Sequence, residues 1–168
     1  MCVALIEAEV ILLRMVWHPA HFENGKLVAS AFDSGDLRPD DDRDGHARYI
    51  STDRQDDLRK PAVDARILSQ ERDGPKQQDK KHEARFVEFL TGELRAAKDE
   101  SGNHPFDVTP EPIVPENPGH CAIRNVSGKG KSRRAEDRDY VDELRTILLD
   151  QNRGVTSYSD HFPSDVAD

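Results

Sequence analysis

Two short histidine-bearing segments, far apart in the chain, hold the residue types best suited to chemistry. The first is Trp17-His18-Pro19-Ala20-His21, followed by Asn24-Gly25; the second is Glu116-Asn117-Pro118-Gly119-His120-Cys121. Each sets an imidazole beside a turn-forming Pro or Gly at the margin of an apolar segment, and loop residues held by rigid elements are where sites are usually built. An imidazole titrates near neutrality, so His18 or His120 could act as a general acid or base. An enzyme built this way needs His18 and His120 to converge on one pocket with Ser51 or Arg54. The plainer alternative makes His18 the end of a strand and His21 an exposed neighbour. A metal at His18 and His21 would need His120, Cys121 or His46 to complete its three or four ligands. No complete set is evident, so no metal is assigned. Cys121 follows His120 directly, points to the opposite face of a strand, and reads as core.

The candidate binding residues are cationic. Arg54 closes Tyr49-Ile50-Ser51-Thr52-Asp53-Arg54 and could grip a phosphate or carboxylate in a fork. The competing reading makes Asp53 a helix N-cap with Arg54 exposed beside it. Gly128-Lys129-Gly130-Lys131-Ser132 lies between an expected strand and an expected helix, the context of a phosphate loop. The full pattern needs a glycine at position 125, which is Asn. Together with Arg124, Arg133 and Arg134, Lys129 and Lys131 form a local cationic patch able to meet RNA, DNA or an acidic protein. Asp40-Asp41-Asp42-Arg43-Asp44-Gly45 matches the first half of a calcium loop, but Ser51 stands where the bidentate Glu belongs. A solvated acidic loop is the better reading.

These residues need elements to hold them. Val10 to Trp17 is apolar and rich in branched side chains, a buried strand that Pro19 ends. Asn24-Gly25 is a turn leading into an alternating strand over Lys26 to Phe32. His46 to Thr52 reads as a third strand and His120 to Val126 as another. Short helical stretches are expected over Asp53 to Lys60 and Ala62 to Glu71. Phe86, Val87, Leu90, Leu94 and Ala97 fit one helical stripe over Lys81 to Lys98. Phe106 to Pro118 carries four prolines and must be extended or turning. Tyr140, Val141, Leu144, Ile147 and Leu148 mark a second amphipathic helix over Asp137 to Asn152. Strands and helices in this order predict an α+β domain, a small mixed or antiparallel sheet packed with two main amphipathic helices.

Composition sets the outer bounds. The chain has 168 residues, 35% apolar and 34% charged, which suits one domain with a compact core. That domain is expected over 1–154, with charged, solvated segments at 33–44 and 57–80 and a C-terminal tail at 155–168. The formal charge is −9, so no global attraction draws the chain to nucleic acid or an anionic membrane. Cys2 and Cys121 read as reduced thiols of a cytoplasmic protein. Met1 to Trp17 lacks a basic leader and carries Glu7 and Glu9, which argues against a signal peptide.

Arg14, His18-Pro19, Asn24-Gly25, Ser30-Ala31-Phe32, Ser51 and Asn117-Pro118-His120 resemble the motif order of a loose group of small bacterial proteins with no established activity. The resemblance covers the first fifty or so residues and 113–126, and implies bacterial origin and little more. A more distant likeness is to ADP-ribosyltransferase-type folds, where His18, Tyr49 and Ser51 would line a nicotinamide cleft; no glutamate supplies the usual third element. Two function classes follow. The first is a non-catalytic binding or accessory protein, acting on a macromolecular partner. That partner is expected to be a protein, with nucleic acid the alternative through the 124–134 loop. The second is a small transferase or hydrolase with His18 and His120 in one cleft. No cofactor is specified, and no apolar run is long enough to span a bilayer.

Overall fold

In the computed structural model, residues 5–39, 48–71 and 80–163 are described. The strands are β1 (Ile11–Trp17), β2 (Phe22–Glu23), β3 (Lys26–Leu27), β4 (Ile50–Arg54), β5 (Ala84–Leu90), β6 (Phe106–Pro110), β7 (His120–Asn125) and β8 (Val155–Ser157). The helices are α1 (Lys60–Glu71), α2 (Lys80–Glu83), α3 (Thr91–Ala96), α4 (Ala135–Gln151) and α5 (Tyr158–His161). Six strands form one antiparallel sheet in the order β6-β7-β4-β1-β5-β8, and β2 and β3 make a separate hairpin. This is the α+β fold that the sequence predicts.

Both faces of the sheet are covered. Leu12, Val16, Val87 and Phe89 point to one side and pack with Val141, Leu144 and Leu148 of α4. Leu13, Met15 and Phe86 point to the other and pack with Val63 and Ile67 of α1 and with Tyr158. Each such side chain, fully buried, contributes on the order of 1.5–3 kcal/mol. Phe22 and Leu27 lay the β2–β3 hairpin against the α4 side. Its turn has Asn24 at φ 50° and Gly25 at φ 76°, the left-handed pair that a two-residue hairpin requires.

Several expectations are corrected. The helix expected over Lys81 to Lys98 is the strand β5 followed by the short α3. Burial on both faces of the sheet gives β5 an adjacent buried pair, Phe86-Val87, which imitates part of a helical stripe. The strand expected over Lys26 to Phe32 stops at Leu27, and a 3-10 turn follows at Ala29–Ala31. The segment 57–80 is not wholly outside the core, because α1 buries Val63 and Ile67. Residues 155–163, expected in a tail, carry β8, which pairs with β5, and α5, which buries Tyr158. The acidic run Asp40 to Gly45, His46 and Cys2 lie outside the described residues.

One departure from a regular ladder bears on the interior. β1 and β4 pair only at Leu12↔Arg54 and Leu13↔Asp53. Beyond that point Arg14 donates from Nη1 to the Ser51 carbonyl at 3.2 Å. Burial lowers the pKa of this guanidinium, against the opposing field of Asp36.

Candidate functional site

The candidate residues occupy three separate places, and the sheet register separates them. His120 pairs with Asp53, which pairs with Leu13, so His120 is level with Leu13 two strands across. His18 follows the far end of β1, roughly 16 Å further along at about 3.3 Å per residue. The two also serve opposite faces. Asp53 and His120 point to the α1 side, where Asp53 meets Arg66. His18 borders a cleft on the α4 side, with Leu149 of α4 and the β2–β3 hairpin. One cleft holding both histidines is therefore not what this register builds.

The place around Asp53 is internal. Asp53 is 2% exposed and takes Nη1 of Arg66 at 3.0 Å and Nδ2 of Asn117 at 2.8 Å. Asn117 Oδ1 is buried without a hydrogen-bond partner among the described residues. Asp53 is thus an interior acceptor 64 residues from Asn117, not the helix N-cap of the local reading. His120 is 5% exposed, its Nδ1 is 3.0 Å from the Glu111 carbonyl, and its ring meets Tyr49 edge-on at 5.9 Å. Ser51 shares this face at the next diagonal position, opposite Ala122. Cys121 points to the α4 side and is buried, which pushes its thiol up to about 11. A thiol so raised carries little thiolate and is a poor nucleophile at neutral pH.

Arg54 does not present an open fork. Its Nε and Nη2 both donate to Asp56, each at 2.9 Å. This ion pair is largely exposed and therefore adds little stability.

The third place is the connection from β7 to α4. Asn125 organises it: Nδ2 donates to the carbonyls of Leu37 and Lys129, and Oδ1 accepts from the Ser127 N–H and hydroxyl. Gly130 has φ 88°, and a Cβ there would lie 3.1 Å from Val141 Cγ2. The Asp137 carboxylate accepts the N–H groups of Gly130 at 3.1 Å and Ser132 at 2.9 Å, and also the Ser132 hydroxyl. In a phosphate loop such N–H groups would face the ligand. Here a carboxylate of the chain occupies them, and the phosphate-loop reading gives way to a self-capped loop.

The side chains around this loop border two adjoining pockets. One, of about 270 Å³, is bordered by Arg48, Arg124 and Lys131; the other, of about 160 Å³, by Arg38, Arg138 and Arg145. Arg38 borders one and Pro39 the other, and Lys131 and Ser132 divide in the same way, so the two pockets adjoin, and the pair is called the groove. Among the described residues its carboxylates are Asp137, committed to the loop, and Asp142, 3.5 Å from Arg145. Arg38, Lys131 and Arg138 have no hydrogen bond or ion pair through their side chains among the described residues. Arg124 lies 5.0 Å from the Tyr49 ring and donates to Glu111 at 2.5 Å.

No protein-family model, curated protein or solved structure matches the chain.

Of the six cations expected to bind, then, Arg124 and Lys131 meet in the groove. Lys129 sits 5.4 Å from the Tyr140 ring, and Arg133 and Arg134 are exposed on the loop beside it. Arg54 is elsewhere. Arg38, Arg48, Arg138 and Arg145 join the groove from distant or helical positions. One signal was available for Arg138 and Arg145: they lie seven residues apart in an expected helix and so on the same side of it. Among the described residues, no three His, Cys, Asp or Glu side chains are placed to share a metal, and no helix is long and apolar enough to cross a membrane.

Proposed function

We propose that this chain is a non-catalytic binding protein of the cytoplasm whose groove at the N-terminal end of α4 holds the phosphate backbone of a nucleic acid. The observation that carries this reading is the concentration of Arg38, Lys131 and Arg138, without ion-pair partners among the described residues, on a chain whose formal charge is −9. Acidic side chains elsewhere repel a polyanion, so the groove is where one gains attraction. The self-capped loop holds Lys131 without consuming it. Arginine and lysine suit phosphate through forked and point-charge contacts respectively. The expected protein partner becomes the competing outcome, since an acidic protein would meet the same charges. The bacterial origin implied by the motif resemblance is compatible with this reading and adds nothing to it.

The test is fluorescence anisotropy with labelled single- and double-stranded oligonucleotides across a salt series. Binding should weaken as salt rises. Lys131→Glu and Arg138→Glu should each reduce the salt slope by roughly one, the loss expected per phosphate contact. Binding that ignores salt, or that persists unchanged in both variants, would overturn the assignment. Failure with nucleic acid alongside salt-sensitive binding of poly-glutamate would replace it with an acidic protein partner.

A further inference from the structure

A larger cleft lies at the other end of α4. Its volume is about 600 Å³, within the range of pockets that hold small organic ligands. It opens between the β2–β3 hairpin, the last turn of α4 and the β8 edge of the sheet. A helix of 17 residues spans about 25 Å, so the cleft and the cationic groove are separate sites.

Its walls divide by chemistry. Phe22, Leu27 and Leu149 supply apolar surface and pack against the core below. His18, Lys26 and Arg85 supply the cationic or proton-bearing side. His18 and Phe22 stand as a pair of tilted rings, centroids 5.2 Å apart. The Lys26 side chain is exposed and has no hydrogen bond or ion pair among the described residues. Arg85 gives Nη1 to the carbonyls of His82 at 2.6 Å and Ala84 at 3.0 Å, which fixes the guanidinium without neutralising it. Asp160 is the lone carboxylate of the lining among the described residues, and one of its oxygens takes the Ser157 N–H at 2.7 Å in the capping box of α5. Lys26 and Arg85 therefore outnumber the acid beside an apolar wall.

We infer that this cleft binds a small amphipathic anion, with a carboxylate or phosphate head against Lys26 and Arg85 and an apolar body against Phe22, Leu27 and Leu149. An inorganic anion would leave the apolar wall wet, and a neutral hydrocarbon would leave two cations facing the single carboxylate of Asp160. A ligand with both parts satisfies both walls. His18 then binds at the rim of the cleft and needs no partner in His120.

The probe is 8-anilinonaphthalene-1-sulfonate, which combines an anionic head and an aromatic body. The single Trp17, next to His18, is the built-in energy donor. Titration should give one saturable site with energy transfer from Trp17. 2-Naphthoate and decanoate should displace the probe competitively, and naphthyl phosphate distinguishes a phosphate head from a carboxylate one. Lys26→Glu should weaken binding about tenfold or more, and Leu27→Asp should abolish it. Lys26 is exposed on the hairpin and Leu27 is half-buried against the core, so melting temperatures of both variants are compared with the wild type to show that the sheet survives. Arg85→Gln provides an independent reduction should the hairpin variants alter the turn. Lys131→Glu, in the distant groove, should leave the probe unaffected. The inference is overturned by several outcomes: non-saturable or multiple-site binding, binding indifferent to Lys26→Glu and Arg85→Gln, or displacement by inorganic phosphate as effective as by 2-naphthoate.

Discussion

Asp137, in the first turn of α4, accepts the Ser132 backbone N–H at 2.9 Å and takes the Ser132 hydroxyl as well. A helix N-terminus favours negative charge, because its first N–H groups lack intrahelical partners. The chain places its own carboxylate there, so the loop that resembles a phosphate cradle is closed from within. What remains available to a ligand is the set of side chains that the loop displays.

Removing that internal anion should loosen the loop. These hydrogen bonds, led by the Ser132 hydroxyl, hold the Asp137 carboxyl below its ordinary pKa of 3.8. A carboxyl depressed in the fold contributes stability above its unfolded pKa and loses it as pH falls toward the folded value. Asp137→Asn should therefore lower the melting temperature at neutral pH, and the gap to the wild type should close as acid takes the solution below pH 3.8. A constant gap from neutral to acid would show that the charge is immaterial. Gly130→Ala should destabilise by about 1–3 kcal/mol at any pH, since it forces a side chain into left-handed backbone.

Asp53 and Arg66 should respond unequally to substitution. Asp53 is 2% exposed while the Arg66 side chain is 28% exposed. Arg66→Gln strands a buried carboxylate with Asn117 as its remaining partner, and about 3 kcal/mol is the expected loss. Asp53→Asn leaves a guanidinium that can turn to water, and should cost less, about 1–2 kcal/mol. Urea denaturation of the two variants checks the order. A larger loss in Asp53→Asn would mean that the carboxylate's other contacts dominate.

Two histidines should make the fold sensitive to mild acid. Burial lowers the pKa of His21, assisted by the Arg14 charge, and burial lowers that of His161. His21 Nδ1 accepts the Trp17 N–H at 3.0 Å, which a protonated nitrogen could not do. A histidine depressed in the fold costs no stability above its unfolded pKa of 6.5. As pH falls below that value the unfolded chain takes the proton first, and stability declines. Denaturant midpoints should thus fall between pH 7.5 and pH 5, and His161→Gln should flatten the decline. A midpoint that rises over this interval in the wild type would contradict the assignment.

The sequence makes β1 legible by its run of branched and large apolar residues and α4 by an apolar stripe at helical spacing, and Asn24-Gly25 announces its own turn. It hides β5 because a strand covered on both faces loses its alternation: Phe86 goes under α1 and Val87 under α4, yet they are neighbours in the chain. It hides β8 because Val155 to Ser157 is three residues long and takes its register from β5. The site behaves similarly. Arg124 and Lys131 could be read from a local cluster, but Arg38 reaches the groove from a distant turn. Asp53 finds Asn117 in the loop that leads into the neighbouring strand β7, and no local pattern records that contact.

Cys121 should be chemically silent while the chain is folded. Its thiol is 1% exposed and raised by burial to about 11. In a Cys2→Ser background, Ellman's reagent should give no reaction at pH 8 until urea unfolds the protein, when one equivalent appears. Rapid modification in native buffer would mean that the β7 core opens readily.

His18 and His120, alike in the sequence, should separate in the laboratory. His120 is 5% exposed, bonded through Nδ1 to Glu111 and packed on Tyr49. His120→Ala removes a buried ring together with its hydrogen bond, and a loss of about 2–4 kcal/mol is expected. His18 is exposed and has no hydrogen bond through its ring among the described residues. His18→Ala should change stability by less than about 0.5 kcal/mol while altering binding in the cleft beside α4. Denaturation measures the first effect and probe titration the second. If His18→Ala destabilised as much as His120→Ala, both imidazoles would be framework residues. If His120→Ala left stability untouched, His120 could not hold Glu111 and Tyr49 together on that face of the sheet.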